Sequence, residues 1–343
     1  MAKYIKKRNL INIYLSDDED IANIRKYIDQ KIIEEERLDN WIYIINESFY
    51  ELSEELKQEI YNIIEEYRER DEIQEVLIIE KPKNINPKYI KELKKNGIRN
   101  VEMKAYSSNR YILSHIKAAS FKKIEAATKA LRFRRMKVFL EMQIGLPESN
   151  ELDELQTAKS IAKLKPSLVK ITPTVVYKDT ILEEKYKNID YRPMTIEEAV
   201  VLTKKLINFF KSKKIEEIQI GFEEHDQVET NIYRKKETSS LKISQNPKYI
   251  EGPYDENFNF FVYSSLYYDM ILDIIKGYNV KVKEIEIEVN PQISKYVLGF
   301  NNSNFKELKR LYDIDAELKQ SLKLSQRDIK IKVLKSYSDF IDE

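Results

Sequence analysis

The stretch MQIGLPESNELDELQTAKSIAKLKPSLVKITPTVVYKDTILEEKYKNIDYRPMTIEEAV, residues 142–200, decides the fold. It begins at the end of an apolar run, KVFLEMQI (137–144), and turns at Gly145 and Pro147. ELDELQTAKSIAKL (151–164) then has helical spacing of its apolar residues, and SLVKI (167–171) is a second apolar run. Two short Ile/Val-rich runs separated by a helical stretch make a β-α-β unit, in which the strands lie parallel and the helix covers one face.

The same unit repeats on both sides. Upstream, the strand candidates are LINIYL (10–15), WIYIIN (41–46), EVLIIE (75–80) and IRNVEM (98–103); downstream there is EEIQIGF (216–222). Helical stretches separate them, several opening on Ser, Asp, Asn or Thr and one ending at Gly97, as helix caps require. Seven strand candidates alternating with helices predict an α/β fold, a partial (β/α) TIM-type barrel over residues 1–222. The rhythm then breaks. Residues 223–259 are polar and turn-rich, a linker or excursion, and 260–343 read as a small C-terminal α/β appendix: helix 260–276, strand 280–289, helix 303–312 and strand 329–334. In such a barrel, function belongs to the loops at the carboxyl ends of the strands: 15–17, 47–52, 103–107, 145–148, 172–178 and 221–226.

Composition excludes whole chemistries. The 343 residues contain no Cys, which removes disulfides, thiol catalysis and cysteine-ligated iron–sulfur clusters. His115 and His225 are the two histidines, too few for a His-rich metal site. Gly numbers 6, where average usage gives roughly 24, and neither G-x-x-x-x-G-K nor G-x-G-x-x-G occurs. Lys+Arg 59 against Asp+Glu 58 names no partner by net charge. No apolar window reaches the length of a membrane span, and MAKYIKKRNL lacks the apolar core of a secretory signal, so the expected location is cytoplasmic.

Residues 142–200 also resemble a bacterial radical SAM family related to the Elongator catalytic subunit. That family has a QM-hydrophobic-GLPG stretch, a kP strand ending in YPT, a T-x-L-E-x-x-Y helix and a P-x-x-x-E-E-A-V helix start. Here these stand at 143–147, 165–174, 180–186 and 193–200. IQIGF (218–222), GPYDENF (252–258) and NPQISKYVLGFNNSN (290–304) are similar to its RIGLQP strand, GPxHPxF turn and terminal NPxDISxxxGxxxSN element. The resemblance implies a radical SAM-type partial barrel with a KH-like C-terminal appendix, in which GFNN (299–302) stands for a GxxG-type clamp. From residue 281 onward, however, Lys+Arg number 12 against Asp+Glu 11, no strong phosphate-attracting field, so a structural cap is equally expected.

The departures from the family are informative. The C-x-x-x-C-x-x-C loop that would follow the first strand is absent, and SDDEDIANI follows at once. The glycine-rich GGSF aligns with Asn46, Glu47, Ser48 and Phe49; GVQS aligns with Lys104, Ala105, Tyr106 and Ser107; GLPG ends in Glu148; and the GPxHP histidine aligns with Asp255. Without thiolates there is no cluster and no 5′-deoxyadenosyl radical, so the resemblance implies a pseudoenzyme with no cofactor expected. Residual S-adenosylmethionine binding stays open, with candidate ligand residues Asn46, Glu47, Ser48, Gln143, Gly145, Glu148, Thr172, Thr174 and Gly221. Glu47 and Glu148 could also meet as a carboxylate pair.

The strongest positive feature is RYILSHIKAASFKKIEAATKALRFRRMK (110–137). Arg110, Lys117, Lys122, Lys123, Lys129, Arg132, Arg134, Arg135 and Lys137 face Glu125 alone, with Tyr111, Phe121 and Phe133 interleaved. Phosphate contacts beside stacking surfaces suit RNA or tRNA, the alternative being a solvated helix face over core aromatics. An intact, cysteine-bearing radical SAM paralogue is a further expected partner, and a membrane is not. Asp17, Asp18, Glu19 and Asp20 read as acids favoured by a helix dipole, and Glu223, Glu224, His225 and Asp226 as a solvated loop.

Overall fold

The computed structural model describes residues 8–15, 21–34, 39–221, 248–325 and 328–337. The acidic run 17–20 and the group 223–226 lie outside the described residues. The chain divides into two compact units, Met1–Met194 with Ile207–Gly252, and Thr195–Leu206 with Pro253–Glu343.

The first unit follows the repeated β-α-β order: β1 (Arg8–Tyr14), α1 (Ile21–Glu34), β2 (Asp39–Ile45), α2 (Glu54–Glu69), β3 (Glu75–Ile79), α3 (Pro87–Lys95) and β4 (Asn100–Lys104). Two helices, α4 (Arg110–His115) and α5 (Phe121–Phe133), precede β5 (Lys137–Ile144). Then come α6 (Glu151–Leu164), β6 (Leu168–Pro173), β7 (Val176–Tyr177), α7 (Ile181–Lys187), β8 (Ile218–Ile220) and β9 (Tyr249–Glu251); α8 (Ile196–Ser212), between α7 and β8 in sequence, is divided after Leu206 between the two units. Seven strands form one sheet in the order β1-β2-β3-β4-β5-β6-β8, each neighbour pair parallel.

All seven expected strands are present, with ends displaced by a few residues. Their continuous apolar runs follow from burial on both faces. In β2, every residue from Asn40 to Ile45 is buried, and each fully buried Ile contributes roughly 2 kcal/mol. The helices start where the caps predict. Ser53 and Asn86 accept from Leu56 N and Tyr89 N, and Asn150 forms a capping box with Asp153.

The two faces of the sheet differ. Trp41, Tyr43, Ile45, Leu77, Ile79, Phe139 and Leu168 cluster with Leu10 and Tyr14, all of them strand residues. A cluster made only of strand side chains lies on the face turned away from the helices, the inside of the half-barrel, and period-2 alternation assigns the remaining inward positions.

The second unit contains α9 (Phe258–Lys276), β10 (Val282–Val289), α10 (Ser294–Leu298), α11 (Ser303–Tyr312), β11 (Asp315–Gln320) and β12 (Ile329–Ser336). β10 is central, parallel to β11 and antiparallel to β12. Its alternation is one-sided: Ile285, Ile287 and Val289 are buried against Ile271, Val297 and Leu308. The turn GFNN has Gly299, Asn301 and Asn302 at φ 76°, 49° and 60°, and the Asn304 side-chain amide fastens the preceding helix by donating to the Val297 and Tyr296 carbonyls at 3.0 and 3.1 Å.

Five elements were not expected: the short α4, β7 and α10, and the strands β9 and β11. β11, DAELKQ, is a polar strand without an apolar run to betray it. β9 falls inside the stretch expected to be a linker, where it pairs with β7, and the Gly252 that follows it approaches the Thr174 carbonyl and Val175 Cα so closely that a Cβ would stand 3.3 Å from each. Among the described residues, no helix is long and apolar enough to cross a membrane.

Candidate functional site

The inner face of the sheet changes character from one side to the other. The apolar cluster described above reaches the carboxyl ends of β1, β2 and β3 at Tyr14, Ile45 and Ile79, but takes in only Phe139 and Leu168 near the amino ends of β5 and β6; beyond these, β4–β6 turn polar. Register sets Lys104 beside Glu141, Glu141 beside Lys170, and Gln143 beside Thr172. Lys104 Nζ lies 3.2 Å from Glu141 Oε2, the pairing that a buried carboxylate requires. Glu102 and Lys170 are buried on the same face. Gln143 and Thr172 are each 3% exposed, and Gln143 Nε2 and Thr172 Oγ1 have no hydrogen-bond partner among the described residues. An orphaned donor beside an orphaned hydroxyl is a place for a polar ligand atom.

The structure therefore brings Gln143, Gly145, Thr172 and Thr174 together at the carboxyl ends of β5 and β6. Gly221 joins them from β8, its N–H donating to Ile171 O at 3.1 Å. Thr174 is occupied, since its hydroxyl donates to Ile144 O at 2.7 Å. Asn46, Glu47 and Ser48 lie at the end of β2, apart from the β5–β6 group in sheet order. Asn46 Oδ1 is buried without a partner among the described residues. Ser48 is engaged: its hydroxyl donates to Glu80 Oε2 at 2.7 Å and accepts from Asn84 Nδ2 at 2.8 Å. Glu47 is exposed and pairs with Lys81 at 2.9 Å, while Glu148 is exposed in the β5–α6 turn at φ 67°.

Two buried acids that sequence reasoning passed over organise this end. Glu80, directly after β3, also accepts from Tyr50 N at 2.7 Å and from the Tyr89 hydroxyl. Burial pushes its carboxyl up, against hydrogen bonds from Tyr89 and Ser48 that favour the charged form. Nearby, burial would raise Glu51, but hydrogen bonds from Lys81 and Lys83 outweigh it and hold the group down to about 2. Glu154 of α6 reaches back to the β5–α6 turn, accepting from Gly145 N at 2.9 Å and Ser149 Oγ at 2.7 Å. Tyr191 donates to Gly145 O at 2.7 Å. Burial lifts Glu154 to about 7, only partly opposed by those two hydrogen bonds. Glu141 and Lys170 did carry a signal, since each is a charge inside an apolar strand window. Glu80 and Glu154 carried none, because an acid beside a turn or in a helix is ordinary.

The basic segment is not one patch. Arg110, Lys117, Lys122, Lys123, Lys129, Arg132, Arg134, Arg135 and Lys137 are all exposed. However, the 13 residues of α5 run about 20 Å from the carboxyl end of the sheet to its amino end. Arg110 opens α4 and Lys117 follows it at the carboxyl end; Arg132, Arg134, Arg135 and Lys137 stand at the amino end. Lys129 pairs with Glu125 and Lys137 with Glu75. The other seven have no ion-pair partner among the described residues. Tyr111 and Phe133 are exposed, whereas Phe121 packs beside the cluster of Ile112, Leu113 and Ile116.

A curled sheet of seven parallel strands with helices on one face is the partial (β/α) barrel of the radical SAM fold, here built without a single cysteine. The particular likeness is to Elp3 of the archaeon Methanocaldococcus infernus, with a TM-score of 0.60 at 18% identity over 76% of this chain and 63% of that one. Coproporphyrinogen III oxidase (HemN) of Escherichia coli, a radical SAM enzyme, gives 0.42 at 14% identity over 61% and 53%. SuiB of Streptococcus suis gives 0.44 at 7% identity over 63% and 49%. The chain spans less than two thirds of the length of these structures, and at such identities the likeness is one of fold. No protein-family profile and no curated protein matches the sequence. The thiolate-held cluster that this fold family implies does not fit the chain, because no residue can supply a thiolate.

Proposed function

We propose that the chain is a non-catalytic, radical SAM-like barrel that binds RNA through basic side chains carried by α4, α5 and the turn after α5. One observation supports this above the others: seven exposed Lys and Arg side chains in one segment lack an ion-pair partner among the described residues. Unpaired surface cations release counterions on meeting a phosphate backbone, which gives affinity with steep salt dependence. Filter binding of the full chain to tRNA across a salt series tests the reading. Retention at low salt that falls linearly in log–log form is expected, and no retention at low salt overturns it. The non-catalytic half has its own test. Anaerobic reconstitution with iron and sulfide should give no stoichiometric cluster absorbance, and a stable cluster with reductive cleavage of S-adenosylmethionine would refute it.

A second reading is favoured by the orphaned Gln143 Nε2 and Thr172 Oγ1: a polar ligand, S-adenosylmethionine or a relative, held in the half-barrel. Calorimetry with S-adenosylmethionine decides. Heat that disappears in Gln143→Leu supports this site, and a flat titration removes it for that ligand.

A further inference from the structure

Three turns at the amino end of the half-barrel, residues 94–99, 132–137 and 163–167, contain Lys94, Lys95, Arg99, Arg132, Arg134, Arg135, Lys137, Lys163 and Lys165 and not one acidic residue. They are neighbours in space. Lys94 Nζ donates to Arg134 O at 3.0 Å, Lys137 N to Arg99 O at 2.9 Å, the Arg132 guanidinium to Leu164 O, and Ser167 N to Val138 O at 2.8 Å. All nine side chains except half-buried Lys94 are exposed, and among the described residues only Lys137 forms an ion pair, while Lys163 adds a longer-range attraction to Glu125. Phe133 stands in their midst 83% exposed, with the Arg134 guanidinium 5.9 Å from its ring centre.

We infer that this amino-end face, remote from the carboxyl-end loops, is the nucleic-acid contact, and that its ligand is single-stranded RNA: phosphates on the three basic turns and an unpaired base on Phe133. The inference rests on the RNA-binding reading and narrows it to one end of the barrel. It adds Lys94, Lys95, Arg99, Lys163 and Lys165 and leaves out Arg110, Lys117, Lys122, Lys123 and Lys129. Helix dipoles explain part of the charge, because α3, α5 and α6 all end here and cations favour helix C-termini. The left-handed backbone at Arg135 and Lys165, φ 59° and 50°, does not set the face apart, because Asp71, Lys117, Ile189, Lys214 and Asp313 follow other helices in the same conformation. Dipoles do not, however, call for a solvent-facing Phe. A flat ring beside guanidinium groups matches the face of an unstacked base, whereas an acidic protein segment would use only the charge.

The test is fluorescence anisotropy of the full chain with a labelled single-stranded RNA and with its duplex, at several salt concentrations. Phe133→Leu should weaken single-strand binding about tenfold and leave duplex binding unchanged. The double reversal Lys163→Glu/Lys165→Glu should weaken binding at least tenfold and flatten the salt slope, while Arg110→Glu/Lys117→Glu should change it less than twofold. Acetylation footprinting of the unmodified chain provides a second readout that no variant can spoil by misfolding, with RNA protecting Lys95, Lys163 and Lys165 but not Lys117. If binding follows Arg110 and Lys117 instead, the inference fails while the RNA reading stands. If the parent binds no RNA, both fail. If polyglutamate displaces the RNA and Phe133→Leu has no effect, the face is a site for acidic protein, and the inference is overturned.

Discussion

The two ends of the parallel sheet differ in where they put their polar side chains. At the carboxyl end many are buried and wired inward: Ser48 to Glu80, Thr174 to the Ile144 carbonyl, Glu154 to Gly145 and Ser149. At the amino end the Lys and Arg side chains of 94–99, 132–137 and 163–167 are exposed, half-buried Lys94 apart, and among the described residues only Lys137 forms an ion pair. Groups already satisfied within the protein hold shape, and groups left in solvent are free to meet something else. The comparison thus separates a carboxyl end whose polar residues serve mainly the fold, with Asn46, Gln143 and Thr172 as exceptions, from an amino end whose charges serve the surface.

The harshest way to break that contrast is Glu80→Ala. It strands the Ser48 and Tyr89 hydroxyls and the Tyr50 N–H, all of which donate to this carboxylate. The expected loss is about 3–4 kcal/mol of folding stability, measured by urea denaturation, with RNA affinity of the folded fraction unchanged. An equally stable variant would show that the network is ornamental.

Glu154 sharpens the contrast through pH. Its carboxyl rests at about 7 in the fold and near 4.3 in an unfolded chain. A raised pKa means that folding takes up a proton, so stability is fully present below the unfolded value and is lost as pH rises toward 7, beyond which the loss levels off. Glu154→Gln keeps the oxygen that accepts from Gly145 and Ser149 but never ionises. It should match the parent at pH 4 and exceed it by roughly 3 kcal/mol at pH 8, as read from denaturation midpoints. A pH-independent difference would place the carboxylate in contact with solvent.

A smaller effect belongs to the turn that Glu154 holds. Gly145 has φ +72°, and a Cβ there would stand 2.9 Å from Met194 Sδ. Gly145→Ala combines left-handed strain with displacement of a flexible thioether, so a loss of about 1–2 kcal/mol is expected. No loss would mean that the turn has a second, unstrained conformation.

The sequence made one side of this comparison far more legible than the other. The parallel sheet could be read because strands buried on both faces are written as apolar runs, as in VFLEMQI and WIYII. β11 could not, because a polar edge strand such as DAELKQ differs from a loop only in its hydrogen bonds. At the site, Gln143, Gly145, Thr172 and Thr174 were legible as strand-end residues of one β-α-β unit. Glu80 and Glu154 were not, since their burial depends on contacts with Tyr89 and with the turn at Gly145 that no local pattern encodes. Charge in 110–137 was visible, but a linear count could not say that α5 carries its two halves to opposite ends of the sheet, or that residues 94–99 and 163–167 complete one of them.

The smallest expected effect probes the amino end itself. Lys165 closes α6 at φ 50°, and its backbone N–H donates to Ala162 O at 3.1 Å. Lys165→Gly keeps that hydrogen bond, relieves the crowding between Cβ and carbonyl in the left-handed conformation, and gives back part of the gain through the greater freedom of glycine in the unfolded chain. The net change should be a stabilisation of about 0.5 kcal/mol, visible as a small rise in denaturation midpoint. RNA binding should weaken in the same protein, since one phosphate contact is gone and the salt slope should fall by about 1. A side chain that costs stability where it stands, and whose removal costs affinity, is held there for what it contacts. If Lys165→Gly were both more stable and bound RNA as the parent does, the left-handed lysine would have no part in binding, and the amino end would be reduced to three helix termini with their dipoles balanced.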